Sequence, residues 1–214
     1  MKILYIHGLN SNKDSSTGKM VKKYFTKKLN AEVITETFNL LDIEDARKKV
    51  YKIIIAQNIN VVIASSLGAF VALTLGDAVA KILINPCMLP STILQSLDPT
   101  IPDYVIEKFK HREIITYDNV DCETREYTYA AFGMSDELFS FKELFKQHFR
   151  NRYIEIQGGK HKLNEEQLHD MLDQLVPKVS FIRLYTPAPQ FEDEDFIKRN
   201  QQPNSNQKNS NESM

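Results

Sequence analysis

A chain of 214 residues with 27 Lys and Arg against 28 Asp and Glu carries a formal net charge of −1. One core suits that length, because chains divide into separate domains only beyond roughly 250–300 residues, and 42% hydrophobic residues supply it without a metal or disulfide scaffold. The even charge balance removes the electrostatic motive for nucleic-acid binding, and no apolar run nears the ~20 residues that cross a bilayer. Cys87 and Cys122 stand far apart and outside any CxxC pattern, so neither a disulfide framework nor a zinc knuckle is indicated. The first seven residues are too short for a signal-peptide core. The expectation is a cytoplasmic protein of a reducing compartment, with no metal, no organic cofactor, no nucleic-acid partner and no membrane insertion.

Apolar runs alternate with amphipathic stretches along the chain. Lys2 to Ile6 reads as a buried strand. Residues about 17–30 follow as a helix with Val21, Tyr24, Phe25 and Leu29 on its inner face and Lys19, Lys22, Lys23 and Lys27 on a solvated one. Val33 to Phe38 is a second strand, and 43–57 a second helix that Asp42 caps. Val61 to Ala64 is the third strand, with a helix of about 67–76 behind it, and Ala80 to Ile84 the fourth. Residues 86–123, punctuated by Pro86, Pro90, Pro99 and Pro102, break the rhythm as a short cap-like insertion with one helix near 102–110. The alternation resumes with a strand over 127–132, a helix over about 136–149, a strand over 153–156 and a helix over about 164–175. Val179 to Leu184 reads as a last edge strand. This order implies an α/β fold, a mainly parallel, doubly wound sheet of about six to seven strands with helices on both faces. The domain is expected to span 1–186. Residues 187–214, acidic and then Asn/Gln/Ser-rich, lack the apolar content to offset ordering entropy and read as a disordered tail.

Glycine is scarce, with seven in all, and several of them stand just past strand-like runs, where a turn or a close approach of backbones needs them. Ala64-Ser65-Ser66-Leu67-Gly68 lies between a strand and a helix, as does the G-x-S-x-G elbow that lifts a serine hydroxyl above a sheet. Counting back from Gly68 makes Ser66 the nucleophile position and Ala64 the small residue before it; Ser65 is the alternative, and a Ser-Ser helix cap the structural one. His7-Gly8-Leu9 closes the first strand. In a hydrolase of this kind the oxyanion takes one N–H from the residue after the nucleophile, here Leu67, and one from a loop after a neighbouring strand, here Leu9, with Gly8 permitting the turn. His7 could act as a base, but a role in orienting this loop fits its neighbours better. Asp136, after Phe132-Gly133, is a candidate carboxylate partner for a histidine or a cap for the next helix. Of five histidines, His161 alone follows a glycine loop at a late strand end, Gly158-Gly159-Lys160. Ser66, Asp136 and His161 thus fall in the chain order Ser…Asp…His, each just past a strand, where parallel sheets gather their ligands.

With Tyr5-Ile6-His7-Gly8-Leu9-Asn10-Ser11, Ser65-Ser66-Leu67-Gly68, Ile84-Asn85-Pro86, Gly133-Met134-Ser135-Asp136-Glu137 and Gly158-Gly159-Lys160-His161, the chain resembles the small bacterial YqiA-type esterases over about residues 1–177. It departs from them at Ala64, where glycine is usual, and at Lys160, where an acidic or small residue often sits. The resemblance implies a compact α/β-hydrolase fold and a serine hydrolase of carboxylic esters, or of thioesters, with small acyl groups. The expected partner is such a small-molecule ester. Met88, Leu89, Ile93, Leu94 and Leu97 of the insertion are expected either to line the acyl pocket or to pack on the sheet. The rival expectation is a catalytically silent member of the fold that serves as a binding or scaffold protein. A nucleotide-binding domain is disfavoured, because no glycine-rich phosphate loop follows the first strand.

Overall fold

The computed structural model describes residues 1–179. Six strands, β1 (Lys2–Ile6), β2 (Glu32–Thr35), β3 (Val61–Ser65), β4 (Ala80–Ile84), β5 (Thr128–Gly133) and β6 (Tyr153–Ile156), form one all-parallel sheet in the order β2-β1-β3-β4-β5-β6. The chain starts inside the sheet, steps outward to β2, then returns past β1 and adds strands in the opposite direction. Right-handed crossovers put helices made in opposite directions on opposite faces. Accordingly α1 (Ser16–Leu29) and α8 (Glu165–Val179) cover one face, while α2 (Ile43–Gln57), α3 (Leu67–Leu73), α4 (Pro90–Leu97), α5 (Asp103–Asp118) and α7 (Lys142–Phe149) cover the other.

The two-residue alternation of a strand divides its side chains between these layers. Ile3, Tyr5, Ile63, Ile82 and Ile84 join the core under α1 and α8; Leu4, Ile6, Val62, Leu83 and Phe132 join the other. Both faces are covered, so the strands read in sequence as unbroken apolar runs.

Several boundaries move from their expected places, each for a local reason. β2 stops at Thr35, and Phe38 turns in to the core beyond it. α3 ends at Leu73 rather than 76. The helix expected near 102–110 runs on to Asp118, and α4 and α6 (Cys122–Glu126) were not foreseen. Glu113 lies on the buried face of α5, in line with Val105, Ile106 and Phe109. A charge at that position interrupts the apolar periodicity, but here the carboxylate is occupied by the Ser91 N–H and hydroxyl, both at 2.7 Å. Burial raises its pKa, which those two bonds oppose. α7 begins at Lys142, not near 136, because Asp136 spends its carboxylate on the N–H groups of Leu138 and Phe139 at 2.9 and 3.3 Å. That local turn competes with helix formation. Asp42 caps α2 as expected, accepting from the Asp45 N–H. Of the expected edge strand, Val179 closes α8; the rest of it and the 187–214 tail lie outside the described residues.

Candidate active site

One residue separates β3 from α3. Ser66 adopts φ 53° and ψ −124°, a region that costs a residue with a side chain about 1–3 kcal/mol. The turn is held from its neighbour strand: the Ser66 N–H donates to the Ile84 carbonyl at 3.0 Å, and the Ser66 carbonyl accepts from the Cys87 N–H at 3.1 Å. Ser66 occupies the cap position of α3, yet its hydroxyl makes no capping hydrogen bond, and the residue is half-buried. Ser65, the alternative, still belongs to β3 and its hydroxyl pairs with the Tyr5 hydroxyl at 2.9 Å. The elbow forms with Ala64 fully buried before it, so one methyl is accommodated there.

The loop after β1 is pressed against this elbow. A methyl on Gly68 would stand 2.1 Å from the His7 carbonyl oxygen, and one on Gly8 would stand 3.1 Å from the Ser66 Cβ. The glycines therefore let the first turn of α3 and the His7–Leu9 segment meet at van der Waals distance. Leu67 opens α3, so its N–H belongs to the first turn, which has no acceptor within the helix. His7 is 2% exposed and both ring nitrogens are engaged. Nε2 accepts the Phe38 N–H at 3.0 Å, which assigns the proton to Nδ1, and Nδ1 donates to the Gly8 carbonyl at 2.8 Å. Burial lowers the His7 pKa, an effect the Gly8 bond opposes. A neutral imidazole locked at both nitrogens orients the loop and has no lone pair left to act as a base.

Asp136 and His161, the candidate acid and base, reach the same end of the sheet by a different device. Ser65 lies opposite Ile84, Ile84 opposite Ala131, and Ala131 opposite Ile154, so β6 is three strands from β3, about 14 Å at ~4.8 Å per strand. The loop after β6 narrows that gap by folding back over the end of β5, and the Ser66 hydroxyl and His161 are not hydrogen-bonded to each other. A methyl on Gly133 would lie 2.4 Å from the Gly159 carbonyl oxygen, which measures how closely the two backbones cross. The Ser135 N–H fastens the crossing by donating to the same carbonyl at 2.8 Å. His161 then lands beside Asp136, and its Nδ1 donates to Asp136 Oδ2 at 2.8 Å. The two side chains are 15% and 3% exposed. Phe139 meets the imidazole edge-on, with ring centroids 4.8 Å apart. With its proton on Nδ1 facing a carboxylate, the ring presents Nε2 as an acceptor.

The insertion does not line the cavity beside this site. Met88 and Leu94 are buried in the core between sheet and helices, Leu89 and Ile93 are half-buried, and Leu97 is exposed. Instead, a cavity of about 180 Å³ opens between the loop after β1 (His7–Ser11) and the loop after β2 (Phe38–Leu41). The second of these walls is not apparent in the sequence, because the β-prone run Val33 to Phe38 reads as one strand, whereas β2 ends at Thr35. Nor is the role of Glu137, whose carboxylate accepts the His161 main-chain N–H at 3.1 Å. Asn85, read only as part of a motif, proves to bond both late loops. Among the described residues no cluster of His, Cys, Asp and Glu is arranged to hold a metal ion, and no helix is long and apolar enough to cross a membrane.

Comparison with known proteins agrees with this architecture. The model of the family described as "Uncharacterised protein family (UPF0227)" matches residues 2–202. No curated protein matches the chain in sequence. Among solved structures, Est1E from Butyrivibrio proteoclasticus superposes with a TM-score of 0.63 at 13% identity, covering 82% of this chain and 88% of its own. The esterase domain of a Rhodothermus marinus protein gives 0.63 at 14% identity, with 82% and 84% covered. Mouse alpha/beta hydrolase domain-containing protein 10 gives 0.62 at 18%, with 83% and 90% covered. At such identities the likeness establishes the fold, which is that of the α/β hydrolases.

Proposed function

The chain belongs to Uncharacterised protein family UPF0227, the YqiA family, and on that premise we propose that it is a serine esterase acting through an acyl-serine intermediate. Ser66 is the nucleophile. His161 Nε2 takes its proton as the hydroxyl attacks the substrate carbonyl, and Asp136 steadies the imidazolium through Nδ1. The N–H groups of Leu67 and Leu9 receive the developing oxyanion. His161 then protonates the departing alcohol, and in the second half it takes a proton from the water that hydrolyses the acyl-enzyme. The scheme draws on side chains and main-chain amides alone. The observation that carries it is the Asp136–His161 pair, made where the loops after β5 and β6 cross, at the end of the sheet where Ser66 holds its strained turn.

The substrate follows from the surroundings. The cavity beside Gly8 has room for a small acyl group and is walled by Leu9, Phe38, Leu40 and Leu41 as well as by Asn10, Ser11 and Asn39. On the side of the base, Met134 and Leu138 are 45% and 48% exposed next to Asp136; with Phe139 they offer an apolar rim to the leaving group. Cys87 and Cys122 are both free thiols, in keeping with a cytoplasmic enzyme. A panel of acyl esters and acyl-CoA thioesters, run on the wild type beside Ser66→Ala, tests the reading and separates the two substrate classes. Turnover is expected to fall by ~10³-fold or more in the folded variant, together with loss of labelling by a fluorophosphonate at Ser66. A folded wild type that takes no label and turns over no ester overturns the enzyme and leaves the silent scaffold.

A further inference from the structure

We propose that Asn85 is a positioning residue for this reaction: its side-chain amide, at the end of β4, holds the acid loop and the base loop in fixed relation to the serine elbow. The proposal rests on the serine-esterase reading above. Asn85 is 3% exposed and sits at φ 44°, a left-handed conformation that asparagine tolerates better than most residues. That conformation turns its amide back over the strand ends. Oδ1 accepts the Gly133 N–H at 2.7 Å, and Nδ2 donates to the carbonyls of Lys160 at 2.9 Å and of His161 at 3.0 Å. The orientation of the amide admits no flip, because a main-chain N–H can only donate and a carbonyl can only accept.

The consequence for the site comes from what flanks this residue. Ile84 takes the Ser66 N–H, and Cys87 donates to the Ser66 carbonyl. The four residues 84–87 therefore grip the main chain of the nucleophile on both sides, and the amide between them grips His161 itself and the strand end three residues before Asp136. Serine, acid and base follow β3, β5 and β6; β4 lies between β3 and β5, and the Asn85 amide reaches past the end of β5 to the loop after β6. A buried amide with both its hydrogens placed costs little to keep and much to disturb. A base displaced by about 1 Å costs on the order of 100-fold in rate.

The experiment compares Asn85→Asp and Asn85→Ala with the wild type. Asp keeps the size and the acceptor for Gly133 but sets a carboxylate oxygen against two carbonyls; Ala removes both contacts and leaves space. Three quantities are read: kcat and KM on a short-chain p-nitrophenyl ester, with kcat expressed per serine labelled by fluorophosphonate; the low-field proton resonance of the His161 Nδ1–H; and Tm. Val50→Ala, in the core under α2, serves as the control that loses stability without touching the site. Expected for Asn85→Asp is a fall of ~10- to 100-fold in kcat per labelled serine at unchanged KM, with the low-field resonance broadened or lost. Asn85→Ala follows in the same direction, while Val50→Ala keeps both signals. Wild-type kcat per labelled serine and an intact resonance in the folded Asn85 variants overturn the proposal, as does a loss no larger than the control's. Should the wild type itself neither label nor turn over, the esterase reading fails separately. The resonance needs only the Asp136–His161 pair, and its survival or loss in the variants still decides what Asn85 does.

Discussion

At Gly68 the fold and the proposed chemistry meet in a single hydrogen atom. A methyl there would lie 2.1 Å from the His7 carbonyl oxygen and 2.9 Å from that of Ile6, and main chain cannot retreat as a flexible side-chain tip would. Gly68→Ala must therefore push α3 away from the loop after β1, separating the Leu67 and Leu9 amides. The expected outcome is a stability loss of ~1–3 kcal/mol, read by urea unfolding, and a fall in kcat/KM beyond what the remaining folded fraction explains. An active variant of wild-type stability would show that α3 and the loop need not touch. Ser66 illustrates the opposite economy: a side chain kept where φ is positive, with its hydroxyl left out of the capping bond that its position invites. Strain held at one residue by the hydrogen bonds of its surroundings is what a nucleophile held ready would show. His7 completes the set. Its neighbours in sequence suit it to orienting the loop rather than to acting as a base, and two hydrogen bonds hold it as a strut.

Elements divide the work between support and recognition. α4 and α5 pack together through the Ser91–Glu113 bonds, and the bond from the Tyr117 hydroxyl to the Met88 carbonyl ties α5 to the chain leaving β4. The insertion thus braces the segment that grips Ser66, whereas the loop after β2 walls the cavity. A paired substitution separates the roles. Leu94→Ala, deep in the core, is expected to cost ~2–5 kcal/mol and to leave the acyl-chain preference alone. Leu41→Ala, half-buried on the cavity wall, is expected to cost less stability and to shift kcat/KM toward longer acyl chains by ~10-fold. Profiles of kcat/KM against chain length for both variants, beside Tm, check this; a chain-length shift with Leu94→Ala alone would return the acyl pocket to the insertion.

For the molecule as a whole, two cores share one sheet, and Lys81 stands fully buried at the start of β4, at the end of the strand opposite Asn85. Its ammonium donates to the Val79 carbonyl at 2.8 Å and to the Gly76 carbonyl. Burial lowers its pKa to about 7, against smaller opposing effects of Asp77 and Asp121. An unfolded lysine keeps its proton to ~10.4, so between pH 7 and that value the unfolded chain binds the extra proton and the fold gains stability as pH rises. Tm is expected to rise from pH 7 to 9 by about 2–4 °C for each kcal/mol gained, and Lys81→Met to lose that part of the slope; equal slopes in scanning calorimetry would refute it. The strand–helix alternation, the parallel sheet and the order Ser66, Asp136, His161 were legible in the chain, because apolar periodicity and glycine placement are local consequences of a doubly wound sheet. Helix ends at Asp118 and Lys142 were not, because a partnered Glu113 and an Asp136 turned toward its own loop break the local pattern. Neither the cavity wall at Phe38–Leu41 nor the reach of Asn85 across two loops could be read there. Both depend on which strands become neighbours and how closely their loops cross, and spacing along a chain does not encode distance across a sheet.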